Sequence, residues 1–234
     1  SEIERRDWST TLENALWSQV TSERSRSGRA SFYSAYRNLA LSREGLARLE
    51  RLWRGDEEVT DLPLSELDQI TLAGNLAIRG IADAEALLSQ QEERIENPDR
   101  LARFRFVRES LSANPTLRNS FFESLKEEAN RDREAWVIAG LSNIHHPLRA
   151  EESIDLISPA LNMIEEIQQT GDIFFPGRWL DSTLQGHNST AAAEIVRRFL
   201  DTTPNLSARM RLKVLQSADG VFRAAQVVNG WNND

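Results

Sequence analysis

Residues 97–125 read NPDRLARFRFVRESLSANPTLRNSFFESL, and this stretch decides the fold class. Asn97 and Asn114 each precede a proline, as expected when an asparagine caps a helix and a proline occupies its first turn. After each start the apolar residues recur at the spacing of one buried helical face. The stretch therefore predicts two consecutive amphipathic helices. Their apolar positions are Leu101, Phe104, Val107 and Leu111, then Leu117, Phe121, Phe122, Leu125 and, just beyond the stretch, Ala129.

The same pattern continues on both sides of this stretch. Helix starts near Pro98, Pro115 and Arg131 lie 17 and 16 residues apart, so a helix pair recurs about every 33 residues. This is the length of an α-solenoid unit, in which each pair buries its apolar face against its neighbours. Strand alternation is almost absent. The spacing predicts an all-α fold, a single domain over residues 1–234 made of about ten to twelve stacked helices.

Capping signals extend this interpretation to the rest of the chain. Ser65 and Asp68 form a capping pair at one predicted helix start. Pro159 is expected either to kink a helix or to separate its first turn. The polar loop from Gly55 to Pro63 is short for a linker between domains. Further helices are predicted near 10–24, 29–40, 43–54, 65–79, 137–144, 154–167, 189–201 and 206–228.

Composition excludes several classes of function. The net charge of −8 lacks the basic surface that nucleic-acid binding requires, so no nucleic-acid partner is expected. No apolar run approaches the roughly 18 residues that span a bilayer, so no membrane span is predicted. The chain has no cysteine, 26 arginines and only 2 lysines. Codon bias would explain the excess of arginine over lysine. The alternative is that arginine side chains recognise carboxylate groups of a ligand through paired hydrogen bonds.

No catalytic motif accompanies these helices. The histidines are His145, His146 and His187, and none belongs to a His-Glu-x-x-His zinc pattern. His145 and His146 are expected at a helix C-terminus that Pro147 stops. No Gly-rich phosphate loop and no Gly-x-Ser-x-Gly turn occurs. The sequence predicts no catalytic residue, metal ligand or cofactor in this chain. A weaker hypothesis is a helical hydrolase that uses His145 or His187 as its base.

Two runs of sequence carry a resemblance to a known family. Residues 136–149, WVIAGLSNIHHPLR, followed by residues 164–181, IEEIQQTGDIFFPGRWLD, closely resemble the C-terminal helical domain of bacterial zinc aminopeptidases related to aminopeptidase N. The resemblance extends over most of the chain, and residues 171–181 are its most specific part. It implies a right-handed superhelix of HEAT- or armadillo-like helix pairs that caps the catalytic domain and encloses the peptide-binding cavity.

The resemblance also implies a parent enzyme that removes N-terminal residues from peptides. The partners it implies are the parent's own N-terminal catalytic domain and the peptide substrate, with zinc bound in the parent. This chain lacks the His-Glu-x-x-His motif and the Gly-x-Met-Glu-Asn amine-binding loop of the family. The chain begins at Ser1 without Met, which suggests a piece of a longer protein. Its compartment, cytoplasmic or exported, is left open. The alternative is a free-standing α-solenoid that binds a protein or peptide.

Residues 171–181 place three aromatics, a proline, two glycines and an arginine in a predicted gap between helices. In a peptide cavity Arg178 could pair with a substrate carboxylate, and Phe174, Phe175 and Trp179 could stack on substrate side chains. The competing interpretation is a local core of aromatics in which Arg178 bonds exposed helix carbonyls. Docking of this segment onto the catalytic domain is a third possibility.

Overall fold

All regular secondary structure in the described residues is helical. The structure, a computed structural model, describes the backbone of residues 2–231 and the side chains of residues 8–227. In that part of the chain thirteen α-helices and three short 3₁₀ helices follow one another, and the main helix contacts join elements close in sequence. The all-α prediction is therefore confirmed, with packing of the helical-repeat kind.

The α-helices are numbered α1 to α13 in chain order. They span Glu2–Ser22, Arg26–Leu39, Arg43–Arg54, Glu66–Ile78, Ala84–Arg94, Pro98–Leu111, Pro115–Ser124, Glu134–Ile144, Ile157–Asn162, Ile164–Thr170, Phe175–Leu184, Thr190–Thr202 and Ala208–Trp231. The 3₁₀ helices are Glu128–Arg131, Pro147–Arg149 and Ile154–Leu156.

The chain divides into two compact units, Ser1–Phe104 and Arg105–Asp234. The first unit contains α1 to α5, and the second contains α7 to α13. Buried apolar side chains occur in both units. The organisation as one domain over residues 1–234 stays a prediction.

Three predicted helix starts are confirmed by their capping contacts, whereas α8 begins at Glu134 rather than near Arg131, because a 3₁₀ helix occupies Glu128–Arg131. Asn97 Oδ1 accepts hydrogen bonds from the N–H groups of Asp99 and Arg100, at 3.0 and 3.1 Å. Asn114 Oδ1 accepts from the N–H of Thr116 at 2.9 Å. These bonds satisfy donors that the first turn of a helix leaves without intrahelical partners. Ser65 and Asp68 likewise form a complete capping box at α4.

In the first unit Glu13 joins α1 to the start of α3. Its carboxylate accepts hydrogen bonds from the N–H groups of Leu41 and Ser42, at 2.8 and 3.0 Å. Because Glu13 is only 3% exposed, these bonds replace the solvation that the carboxylate loses. Trp53 lies in the core and donates from Nε1 to Oε1 of Gln91 at 2.7 Å. These contacts tie α1, α3 and α5 into one unit.

The core of the second unit forms where α8, α11, α12 and α13 pack together. Trp179 is fully buried there, and its Nε1 donates to the carbonyl oxygen of Ala160 at 3.0 Å. That bond satisfies the only polar atom of the indole, so the ring is buried without an unpaired donor. Other members of this core are Phe122, Leu141, Ile144, Leu161, Ile167, Phe175, Leu180, Val196, Val214 and Val221.

Buried arginines bond the carbonyl groups that helix C-termini leave without partners. Arg131 donates from Nη1 to the carbonyl oxygens of Leu125 and Lys126, just after α7, at 2.7 and 3.1 Å, and pairs with Glu166. A planar guanidinium can donate several hydrogen bonds in fixed directions, which an ammonium group does less well. The arginine excess therefore has a structural use at these helix ends. Arg118 repeats the arrangement with the carbonyls of Ser112 and Ala113 and with Glu152.

Two helical regions differ from their prediction. No helix is predicted over α5, because its buried face includes the polar Gln91 and gives a weak apolar stripe. The helix predicted through residues 154–167 is interrupted at Met163. The predicted separation of its first turn is confirmed, since Ile154–Leu156 is a 3₁₀ turn. Pro159 then lies in the first turn of α9, where its missing N–H removes no intrahelical bond.

Candidate functional site

The segment 171–181 is part loop and part helix. α10 ends at Thr170, residues 171–174 connect, and α11 begins at Phe175. The prediction of a gap between helices is therefore wrong from Phe175 onward. Pro176 is tolerated because a proline in the first turn lacks only an N–H that would have no intrahelical partner. The segment places a short loop beside the start of a helix.

Asp172 fixes the conformation of this loop. Its Oδ1 accepts hydrogen bonds from the N–H groups of Phe174 and Phe175, at 2.6 and 2.7 Å. Its Oδ2 accepts from Nη2 of Arg178 at 2.9 Å, and its own N–H donates to Oε1 of Glu134 at 2.7 Å. Desolvation raises the pKa of Asp172, but the hydrogen bonds from Phe174 and Phe175 outweigh it and hold the pKa below its ordinary value.

The aromatic side chains of the segment separate into two groups. Phe175 and Trp179 are buried, and their rings meet edge to face with centroids 6.0 Å apart. Phe174 is 67% exposed, and its neighbour Ile173 is 62% exposed. The carbonyl oxygen of Ile173 also accepts from Nζ of Lys213 at 3.4 Å. A loop held by hydrogen bonds thus presents two large apolar side chains to solvent.

Arg178 is bound to carboxylates rather than to helix carbonyls. Besides its hydrogen bond to Asp172, it lies 3.8 Å from Oε2 of Glu134. Its side chain is 45% exposed, so part of the guanidinium remains accessible. Of the four residues for which substrate contact is predicted, Phe174 and Arg178 have accessible side chains, whereas Phe175 and Trp179 lie in the core. Substrate contact itself stays a prediction.

A recess of about 240 Å³ lies beside this loop. Three carboxylate residues line it, and the buried Arg131 lies among them with its charge already paired to Glu166. Such a lining favours a positively charged group over an anion. The residues that line the recess are Glu128, Arg131, Asp132, Glu134, Thr170, Gly171 and Phe175.

His145 and His187 form a buried contact that the sequence does not reveal. Nδ1 of His145 lies 2.9 Å from Nε2 of His187, so one protonated ring nitrogen donates a hydrogen bond to the other. Burial lowers the pKa of His145 to about 3, with a further contribution from His187, and burial lowers the pKa of His187 to about 4. His145 caps the end of α8, and Pro147 begins the next turn, as predicted.

Residues 8–227 contain no set of side chains that is arranged to bind a metal ion. No three side chains of His, Cys, Asp or Glu there lie close enough together to hold a metal ion. None of the described helices combines the length and the apolar content that crossing a bilayer requires.

The sequence interpretation missed Glu134 and Asp172, which organise the loop. Asp172 carries a weak local signal, because an aspartate often accepts hydrogen bonds from backbone N–H groups two or three residues further along the chain. Glu134 carries no such signal, since it meets Asp172 only through tertiary packing, 38 residues away in sequence. In comparisons with known proteins, no family model and no curated protein matches this chain.

Proposed function

We propose that this chain is the non-catalytic C-terminal domain of a zinc-dependent aminopeptidase of the aminopeptidase N family. In this role it caps the catalytic domain and encloses the peptide-binding cavity, while the parent enzyme removes N-terminal residues from peptides. The observation that carries the proposal is the resemblance of residues 136–149 and 164–181 to that domain. The all-α packing of sequence neighbours supports it, because the resemblance requires a helical-repeat fold.

Both resembling runs contribute to one core. Leu141 comes from the first run, Ile167 and Trp179 come from the second, and all three belong to the same buried cluster. The proposal requires this arrangement, because it places the two runs in a single helical domain.

Zinc enters this proposal only through the parent enzyme. Residues 8–227 lack a cluster of three metal-binding side chains, so they do not fit the zinc site of the family. The zinc of the parent would therefore be ligated by residues outside that range, and no step of the peptidase reaction is assigned to this chain.

Phe174 and Arg178 are the residues that would contact the peptide. The loop that carries Phe174 is already held by Asp172, so binding a substrate side chain against the ring requires little further ordering. Arg178 has donors beyond the one that Asp172 accepts, and these could pair with a substrate carboxylate. Phe175 and Trp179 would act from the core by fixing the start of α11.

Two measurements test the proposal. The reading frame upstream of Ser1 should encode a His-Glu-x-x-His motif followed by a further glutamate ligand. The isolated chain should show neither stoichiometric zinc by atomic emission nor cleavage of an aminoacyl-nitroanilide. Zinc bound one to one by the isolated chain, or a natural start codon immediately before Ser1, would contradict the proposal.

In the full-length parent, Phe174→Ser should change the preference for peptide length while leaving cleavage of an aminoacyl-nitroanilide unchanged. The physical reason is that a small substrate does not reach the loop, whereas a longer peptide does. Leu212→Ser is the control, because Leu212 is 66% exposed and lies outside the segment. If wild type and Phe174→Ser prefer peptides of the same length, Phe174 does not contact the substrate.

The second candidate function is a free-standing α-solenoid that binds a protein or peptide. The observation that favours it is the exposed pair Ile173 and Phe174 on a loop held by hydrogen bonds, since rigid apolar side chains at a surface are typical of binding hot spots. A start codon immediately before Ser1, and so no peptidase motif in the same reading frame, would select this candidate.

A further inference from the structure

The connection between α3 and α4 surrounds a second recess, in the first unit. Its volume is about 520 Å³, within the size range of sites that bind small ligands. Buried Leu52 and Val59 contribute apolar surface, and half-buried Leu62 and Leu64 add to it. This recess, formed by residues 52–69, is called the α3–α4 recess. Its lining residues are Leu52, Gly55, Glu57, Glu58, Val59, Thr60, Asp61, Leu62, Pro63, Leu64 and Gln69.

Arginines hold the loop around this recess in place. Arg29 is nearly buried, and its Nη1 donates to the carbonyl oxygen of Thr60 at 2.7 Å and pairs with Asp61 at 3.3 Å. Nη2 of Arg51 pairs with Glu57 at 2.9 Å. These bonds connect the loop to α2 and α3, so the recess exists before any ligand arrives. Binding in a pre-formed recess avoids the loss of entropy that ordering a loop would require.

Asp61 has an unusual backbone conformation at the edge of the recess. Its φ is 56°, and no other non-glycine residue among those described has a positive φ. Aspartate tolerates this left-handed region better than bulkier residues do. The hydrogen bond and ion pair from Arg29 hold the turn, while the carboxylate of Asp61 stays largely exposed, at 78% of its side-chain surface.

The charges that line the α3–α4 recess are all negative. Glu57, Glu58 and Asp61 contribute carboxylates, and no arginine or lysine is part of the lining. Arg48 and Arg51 both pair with Glu57 from outside the recess, and Arg29 partly neutralises Asp61, so the negative charge at the edge comes mainly from Glu58 and the exposed part of Asp61. Glu58 is exposed and makes no ion pair with any side chain of residues 8–227. The recess therefore combines an apolar surface with an anionic edge, which is complementary to a cation that carries an apolar body.

We propose that the α3–α4 recess binds an amphipathic organic cation, with the apolar body against Val59 and Leu62 and the ammonium or guanidinium group near Glu58 and Asp61. This goes beyond the proposed aminopeptidase role and does not depend on it. Exposed ion pairs contribute little by themselves, so the apolar body supplies most of the affinity and the carboxylates select the charge. The same chemistry is offered by a free amine and by a peptide that carries a lysine or arginine beside an apolar residue.

The test uses three small probes and backbone NMR of the 234-residue chain. 4-Phenylbutylamine should produce saturable shifts of amide signals in residues 52–69, with a dissociation constant of about 1 mM or below. 4-Phenylbutyrate, which has the same body and the opposite charge, should bind at least about tenfold more weakly because it meets the carboxylates. N-acetyl-Phe-Lys-amide distinguishes the sources: binding at least as tight as that of the amine indicates a peptide ligand, and weaker binding indicates a free amine.

Two variants assign the binding to the named carboxylates. Glu58→Gln and Asp61→Asn should each weaken binding of 4-phenylbutylamine by about threefold or more, because each removes a negative charge and nearly preserves shape. Asparagine also tolerates the left-handed backbone at position 61. Glu165→Gln, an exposed substitution in α10, is the matched control and should change nothing.

Three results would overturn the proposal. The first is the absence of saturable shifts in residues 52–69 up to about 10 mM amine. The second is equal binding of the amine and the carboxylate, which would leave an apolar recess without charge selection. The third is unchanged amine affinity in both Glu58→Gln and Asp61→Asn, provided that their spectra show the native dispersion.

Discussion

At the scale of single residues, the buried pair His145 and His187 makes the stability of the fold depend on pH. Both imidazoles are at most 3% exposed, and Nε2 of His145 has no hydrogen-bond partner among the side chains and backbone that the structure describes. A charge on either ring would lose its solvation without gaining an anionic partner, so the folded state favours the neutral rings. Their pKa values are about 3 and about 4, compared with an ordinary value of 6.5.

We expect the free energy of unfolding to decrease as the pH falls below about 6.5. Because burial lowers the folded pKa values, the unfolded state binds more protons, and the stability contributed by the neutral pair is complete above pH 6.5. It is lost as the pH falls towards the folded pKa of about 4 for His187. Urea unfolding of wild type and His187→Gln at about pH 5 and about pH 7.5 measures this loss. The variant should show the smaller pH dependence, and equal dependence would contradict the assignment.

Arg131 shows how one side chain can stabilise a helix end. Replacing it with lysine keeps the charge but removes the planar fork in which Nη1 bonds the carbonyls of Leu125 and Lys126 while Nη2 pairs with Glu166. We expect Arg131→Lys to lower the free energy of unfolding by about 1–3 kcal/mol, because buried carbonyls lose their donors. Chemical denaturation checks this value. Arg223→Lys is the control: its pair with Asp219 is exposed, so its effect should stay within about 0.5 kcal/mol.

At the scale of elements, the turn after α11 packs directly on the end of α8. A Cβ added at Gly186 would lie 1.7 Å from the carbonyl oxygen of His145, a backbone atom that cannot move aside easily. Gly177, in the first turn of α11, has nothing within 4 Å of an added Cβ. These two glycines, nine residues apart, therefore have different physical roles: Gly186 allows close packing, and an added Cβ at Gly177 would meet open space.

We expect Gly186→Ala to lower the free energy of unfolding by about 2–3 kcal/mol, because the methyl group forces α8 and the turn apart. Gly177→Ala should be neutral or stabilise by up to about 1 kcal/mol, since alanine favours the helix. Thermal or urea unfolding of the two variants makes the comparison. A Gly186→Ala protein as stable as Gly177→Ala would show that α8 and the turn do not approach as closely as 1.7 Å implies.

At the scale of the whole molecule, two compact units with buried side chains of their own make up the chain. Leu76 is fully buried in the first unit, and Leu141 is fully buried in the second. In helical-repeat proteins stability is a sum of local terms and nearest-neighbour terms rather than a single global quantity. A cavity in one unit should therefore lower the local stability mainly within that unit.

We expect Leu76→Ala to accelerate amide hydrogen exchange in residues 8–104, and Leu141→Ala to do so in residues 105–227. Each substitution should cost about 2–5 kcal/mol locally through lost burial and the cavity. Hydrogen exchange read by mass spectrometry resolves the two ranges. Equal acceleration of both ranges by either substitution would indicate one cooperative unit instead of two.

Much of the fold could be predicted from the sequence because its signals are local. Asn114 and Pro115 identify a helix start through contacts within a few residues, and the structure confirms that start. α5 could not be predicted in this way, because its buried face includes the polar Gln91. That side chain is buried because Trp53, 38 residues away in sequence, donates a hydrogen bond to it. Of the candidate site, sequence reasoning found Phe174 and Arg178 but could not separate the exposed Phe174 from the buried Phe175. Adjacent residues at a helix start differ in burial only through what packs against them.

The sequence by itself determined the helical class, most helix starts and the position of the aromatic segment, because capping and apolar periodicity act between neighbours along the chain. Only the tertiary structure decided which side chains meet across long separations. It brought His145 to His187 and Asp172 to Glu134, and it gave the arginines their carbonyl partners. These contacts depend on how helices pack in three dimensions, and no spacing rule along the chain encodes that packing.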